Sequence, residues 1–92
     1  MEIPLVFFMK SEKLIDVLKH LMVKNEEVFT RLRYCAKPPV TYPTLERMVF
    51  YLENYGLVET YYSRTGRRMV KITDKGRKFY IKLMELNKVI LE

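Results

Sequence analysis

The 92-residue sequence predicts a small, mostly α-helical domain with one β-hairpin and a long C-terminal helix. Three observations predict it. Apolar side chains recur at helical spacing in successive segments before residue 55. One stretch, 57–73, is instead rich in β-branched and aromatic residues on both sides of a polar, Gly-containing turn. Helical spacing then returns and runs almost to the last residue. Hydrophobic residues make up 49% of the chain, ample for one core, and no repeat or linker divides it, so residues 1–92 read as one domain.

Residues 1–10 have no helical period; Pro4 and the run Leu5-Val6-Phe7-Phe8-Met9 suggest an extended arm or edge strand. The run is too short to span a bilayer and lacks the basic start and cleavage site of a secretory signal. Ser11 is a plausible N-cap, with Glu12 in the first turn of a helix whose face carries Leu14, Ile15, Leu18, Leu21 and Met22. Asn25 can cap a second helix, with Glu26 and Glu27 near its positive end. Val28, Phe29, Leu32, Cys35 and Ala36 supply its apolar face, and Pro38-Pro39 stops it.

Thr41 can cap a third helix, which tolerates Pro43 in its first turn and buries Leu45, Met48, Val49 and Leu52. Gly56 fits the left-handed residue that closes such a helix. Residues 57–62 and 69–73 form the hairpin around Ser63-Arg64-Thr65-Gly66-Arg67-Arg68. Thr73-Asp74 restarts a helix with Phe79, Leu83, Leu86 and Ile90 on one stripe, flanked by Tyr80, Met84 and Leu91.

The formal charge is +6, and its distribution is uneven. Residues 41–56 hold one basic and two acidic side chains, whereas residues 57–82 hold eight basic and two acidic ones. Such a patch attracts a polyanion, because neutralised phosphates release condensed counterions. A solvated face on a Lys-rich protein would carry the same total. Cys35 is the sole cysteine, which excludes an intrachain disulfide and makes a reducing, cytoplasmic setting the default. No Cys/His cluster has metal-ligand spacing, no phosphate-binding glycine loop or carboxylate pair occurs, and His20 is the sole histidine, near the edge of an apolar stripe. No catalytic residue, metal or cofactor is expected.

The order of elements resembles the winged helix-turn-helix transcriptional regulators of the broad MarR, ArsR and PadR type. The resemblance rests on Pro43-Thr44-Leu45-Glu46-Arg47, then Leu52-Glu53-Asn54-Tyr55-Gly56-Leu57-Val58-Glu59. It continues through the basic turn Arg64-Thr65-Gly66-Arg67-Arg68 and Ile72-Thr73-Asp74-Lys75-Gly76. It implies double-stranded DNA as the partner, a recognition helix over 42–55, a wing over 57–73 and a dimerisation helix over 74–91. The small size and Lys/Ile/Tyr usage suggest an archaeal or archaeal-virus style of regulator. No small-molecule effector is indicated.

Within that frame, helical phase and charge single out residues. With Leu45, Met48, Val49 and Leu52 buried, the third helix presents Pro43, Arg47, Phe50 and Asn54, with Thr44 and Tyr51 on a flank. Arg47 suits bidentate contact with guanine, although it could equally pair with a nearby acid. Thr41, Tyr42 and Thr44 lie where the helix N-terminus would meet phosphate. Arg64, Arg67 and Arg68 are expected to project together from the hairpin tip toward the minor groove or backbone, with Lys71 beside them. Charged hairpin tips also guard against edge aggregation. Phe50 is unexplained: the arm, a dimer contact or thymine methyls could each engage it. Phe79, Leu83, Leu86, Ile90 and Leu91 are expected at a homodimer interface. Two other readings of the same fold stay open: a protein-interaction module, and a DNA-binding architectural protein without sequence preference.

Overall fold

The computed structural model describes residues 12–91, with side chains through residue 86. The expected N-terminal arm and the Ser11 cap lie outside the described residues. Helix α1 spans Glu12–Lys24 and buries Leu14, Val17, Leu18 and Leu21 along one stripe. Ile15 and Met22 pack at its margins.

The segment after α1 departs from expectation. Asn25 does not cap a new helix. It adopts a left-handed φ of 71° and its N–H bonds to the Leu21 carbonyl at 2.7 Å, closing α1. Asparagine tolerates this conformation better than most residues. Glu26–Val28 then form a strand, β1, rather than a first helical turn. A 3-10 helix follows over Phe29–Cys35, in place of the expected α-helix. Phe29, Leu32 and Cys35 are three residues apart, and a helix with three residues per turn stacks that spacing on one face. Phe29 and Leu32 enter the core, while Cys35 is half-buried.

Helix α2 spans Tyr42–Asn54. Thr41 caps it, its Oγ1 accepting from the Thr44 N–H at 3.4 Å, and Pro43 occupies the first turn. Leu45, Met48, Val49 and Leu52 are buried as their spacing requires. The helix ends with Gly56 at φ 75°, where the Leu57 N–H bonds to Leu52 and the Gly56 N–H to Glu53, both at 2.9 Å. This pair of bonds satisfies two terminal carbonyls and turns the chain into the next strand.

Strands β2, Val58–Tyr62, and β3, Arg68–Ile72, pair antiparallel, and β1 pairs antiparallel with the other edge of β3. Among the described residues the sheet therefore has three strands in the order β1-β3-β2. A lone hairpin is marginal in water, and the third strand together with the helices underneath supplies the missing support. Val70 and Ile72 face the core, so Met69 and Lys71 face outward.

Helix α3 spans Asp74–Leu91. Thr73 joins it to the end of α2: its Oγ1 accepts from the Gly76 N–H at 3.0 Å and donates to the Gly56 carbonyl at 2.6 Å. Gly76 is required at that junction, because a β-carbon there would lie 2.1 Å from the Leu57 carbonyl oxygen. Leu83 is only 1% exposed and belongs to the core of its own chain. Among the described residues, no helix is long and apolar enough to cross a membrane.

Candidate nucleic-acid interface

The start of α2 is fixed from behind. The Arg33 side chain donates from Nε to the Val40 carbonyl at 2.9 Å, and the Val40 N–H bonds back to the Arg33 carbonyl at 3.2 Å. The same guanidinium lies 4.3 Å from the Tyr42 ring centroid and 5.6 Å from that of Tyr34. Arg33 therefore staples the 3-10 helix to the start of α2. Tyr42 remains about half exposed on that stack, and Thr41 is exposed beside it. Thr41 Oγ1 is shared between the cap and a 3.0 Å bond to the Thr44 hydroxyl.

The outer face of α2 carries Pro43, Arg47, Phe50 and Asn54, all exposed. Arg47 forms no ion pair with any described residue, so the alternative of a pair with Glu46 does not hold. Phe50 is 69% exposed, and no described residue buries it. Tyr51 departs from its expected place on the exposed flank. Its ring packs against the core and meets Tyr55 edge-on at 4.8 Å between centroids. Burial and the neighbouring Tyr55 push its hydroxyl pKa up to about 12. A group turned inward in this way is not presented to a groove.

The wing arginines are not equivalent. The turn is fixed by a 2.8 Å bond from the Ser63 N–H to the Arg67 carbonyl and a 3.1 Å bond from the Arg67 N–H to Ser63 Oγ. Arg64 and Arg67 are exposed on it. Arg68 does not project with them. Its Nη1 donates to Glu46 Oε1 of α2 at 2.6 Å, and its guanidinium lies over the Phe29 ring at 4.1 Å. The cause is β-strand alternation: Arg68 shares its side of β3 with Val70 and Ile72, which face the helices.

Thr60, on the same side of β2, donates to Glu53 of α2 at 2.5 Å. Two acids of α2 thus hold the wing against that helix. Lys71 is exposed and faces outward on β3, in cross-strand register with Glu59 and Glu26.

Of the residues expected at DNA, Thr41, Tyr42, Arg47, Arg64, Arg67 and Lys71 are exposed, Thr44 and Tyr51 are half-buried, and Arg68 braces the wing against α2. The sequence alone does not reveal Glu46 and Phe29 as partners of Arg68. No local signal marks either, because both contacts depend on where β3 lies against α2.

Two further titratable groups are shifted by their surroundings. His20 Nε2 and Glu27 Oε2 are 2.9 Å apart. Burial pulls the Glu27 pKa up, but bonds from His20 and the Val28 N–H, with the charges of His20 and Arg31, outweigh it and hold the carboxyl below its ordinary value. Burial, with Glu27 and Asp16 nearby, pushes the Cys35 thiol up to about 11, which keeps it protonated near neutrality. Among the described residues, no group of three or more His, Cys, Asp or Glu side chains could hold a metal ion.

Helix α1, the 3-10 helix and α2, followed by the β2–β3 wing and α3, define a winged helix-turn-helix fold. Solved structures agree. The chain is similar to F93 from STIV, a winged-helix DNA-binding protein, with 21% identity, a TM-score of 0.71, and 83% of this chain and 87% of that one covered. It is similar to a transcriptional regulator homologue from Pyrococcus horikoshii OT3, with 23% identity, a TM-score of 0.77, and 90% and 88% covered. A MarR-family transcriptional regulator from Silicibacter pomeroyi shares 27% identity with a TM-score of 0.72 over 82% of this chain. This chain spans 50% of that regulator's length. No family model matches the sequence, and no curated protein matches it.

Proposed function

We propose that this chain binds double-stranded DNA as a small homodimeric transcriptional regulator, with α2 in the major groove and the wing on the backbone or minor groove. One observation carries the reading: an exposed, unpaired Arg47 on a helix whose start and flank are both pinned, beside a tip bearing Arg64 and Arg67. A helix of this size fits the major groove, and a guanidinium there bonds guanine bidentately. The likeness to F93, a DNA-binding protein, and to the Pyrococcus and Silicibacter regulators supports the same reading. A cytoplasmic setting follows from that task.

Dimerisation is part of the proposal. Leu83 is committed to the core and Phe79 is half-buried, so the partner surface would centre on Leu86, 38% exposed, with Ile90 and Leu91 following it in sequence. Ile81, 50% exposed on the same helix, adds apolar area. A two-fold pair would present two α2 helices to half-sites about 34 Å apart.

Selection of bound genomic fragments, followed by footprinting and light scattering, tests the reading. A paired, site-specific footprint from a dimer is the expected result. A second reading is favoured by exposed Phe50 and by Tyr62, 73% exposed: a winged helix that docks a protein. No binding to any duplex at low salt would select it, whereas binding without a preferred site would select an architectural role.

A further inference from the structure

A concavity of about 340 Å³ lies between the 3-10 helix and the wing, lined by Val28, Phe29, Thr30, Arg31, Arg67 and Arg68. Three of its six lining residues are arginines, and they come from two separate elements. Arg31 and Arg67 are exposed and form no ion pair with a described residue. Arg68 is held over the Phe29 ring, its Cζ 4.1 Å from the centroid, with Nη1 on Glu46. Its other N–H groups make no hydrogen bond with a described residue. Glu46 offsets Arg68, and Glu27, engaged by His20 and the Val28 N–H, tempers Arg31 from outside the lining. Positive charge remains in excess at the mouth.

We infer that this cleft is a phosphate-binding cradle, in which Arg68 is the fixed wall and Arg31 and Arg67 close on the oxyanion from either side. Guanidinium forks match the tetrahedral oxygens of phosphate, and Arg68 contributes a donor edge already ordered by its stack on Phe29. The concavity lets several donors converge on one group, which a flat basic surface cannot do. The phosphate has two sources. A duplex backbone would bring it past the α2–wing junction, and in that case the site rests on the DNA-binding reading above. A free phosphate compound would occupy it independently of that reading.

The discriminating variant is Arg31→Lys in the full chain, which keeps the charge but removes the fork. Arg31 is exposed, so the variant is expected to fold, and a thermal melt verifies it. The cradle predicts a roughly tenfold loss of duplex affinity on every sequence, whereas Lys71→Arg changes it less than about twofold. It also predicts that the Nε–H resonances of Arg31, Arg67 and Arg68 shift together on adding duplex. If pyrophosphate produces saturable shifts in the wild type that Arg31→Lys abolishes, while duplex affinity is unaffected by the variant, the source is a free phosphate compound and the cradle stands. If the wild type binds no duplex, the DNA reading fails alone and the pyrophosphate titration still decides the cradle. Duplex and pyrophosphate titrations that are both unchanged by Arg31→Lys would overturn it.

Discussion

The α2 helix and the wing divide the proposed interface unequally. Helix α2 carries one arginine and two glutamates, whereas the hairpin turn carries three arginines within five residues. Their acids and bases are not independent, because Glu46 holds Arg68 and Glu53 holds Thr60. The glutamates that make α2 nearly neutral are thus the groups that set the wing's angle to it. On the proposed reading a division of labour follows: the wing would supply charge and hence affinity, while α2 would supply shape and a single strong donor, Arg47.

The largest disruption removes the frame both regions share. Gly76→Ala would place a β-carbon against the Leu57 carbonyl and the Ile72 side chain, at the root of the wing. A loss of about 3 kcal/mol in chemical denaturation is expected, with DNA binding abolished in parallel. A near-neutral result would mean that α3 shifts easily and that the wing root is not fixed by it.

Next is the wing itself. Replacing Arg64, Arg67 and Arg68 together with alanine should weaken binding on all duplexes and flatten the salt slope by about 0.9 for each phosphate no longer neutralised. Glu46 offsets part of the Arg68 charge, so Arg64 and Arg67 should account for the larger share of the change. An unchanged slope would remove the wing from the interface.

Glu46→Gln sharpens the comparison from the other side. The ion pair is partly exposed, so stability should fall by less than about 1 kcal/mol. Freed from its partner, Arg68 should add charge to the interface, and the salt slope should steepen by up to about 0.9. A flatter slope would show that wing position, rather than charge, limits binding.

The smallest effect concerns Glu27 on β1, engaged by His20. Glu27 has a folded pKa below its ordinary value of 4.5, so the stability it contributes is fully present above that pH. It is lost as pH falls through the lower, folded value. Thermal melts between about pH 7 and about pH 3 should show a shallower acid decline for His20→Ala than for the wild type. An identical decline would mean that the His20 contact does not set that carboxyl.

The second half of the fold was legible because its signals are local. The Thr41 cap, the Leu45–Leu52 stripe, the Gly56 closure and the Thr73 restart each depend on residues within one or two turns. The region around Asn25 was not, since β1 exists by pairing with β3, far along the chain at Met69–Lys71. A three-residue spacing at Phe29, Leu32 and Cys35 also fits both kinds of helix over so short a run. At the candidate site, the exposure of Arg47 was readable from helical phase alone. Tyr51 lies only slightly further round the same helix, and small differences in azimuth decide burial there. Arg68 and Lys71 needed the side of β3 on which each falls, together with knowledge of what lies opposite. Composition fixes neither.

The most direct test of the division of labour is the specificity ratio, preferred site over unrelated duplex at one salt concentration, for Arg47→Ala beside the Arg64→Ala/Arg67→Ala pair. Arg47→Ala should weaken the preferred site by about 1–3 kcal/mol and collapse the ratio. The wing pair should lower both affinities together and leave the ratio intact. A ratio that survives Arg47→Ala but falls with the wing pair would contradict the division.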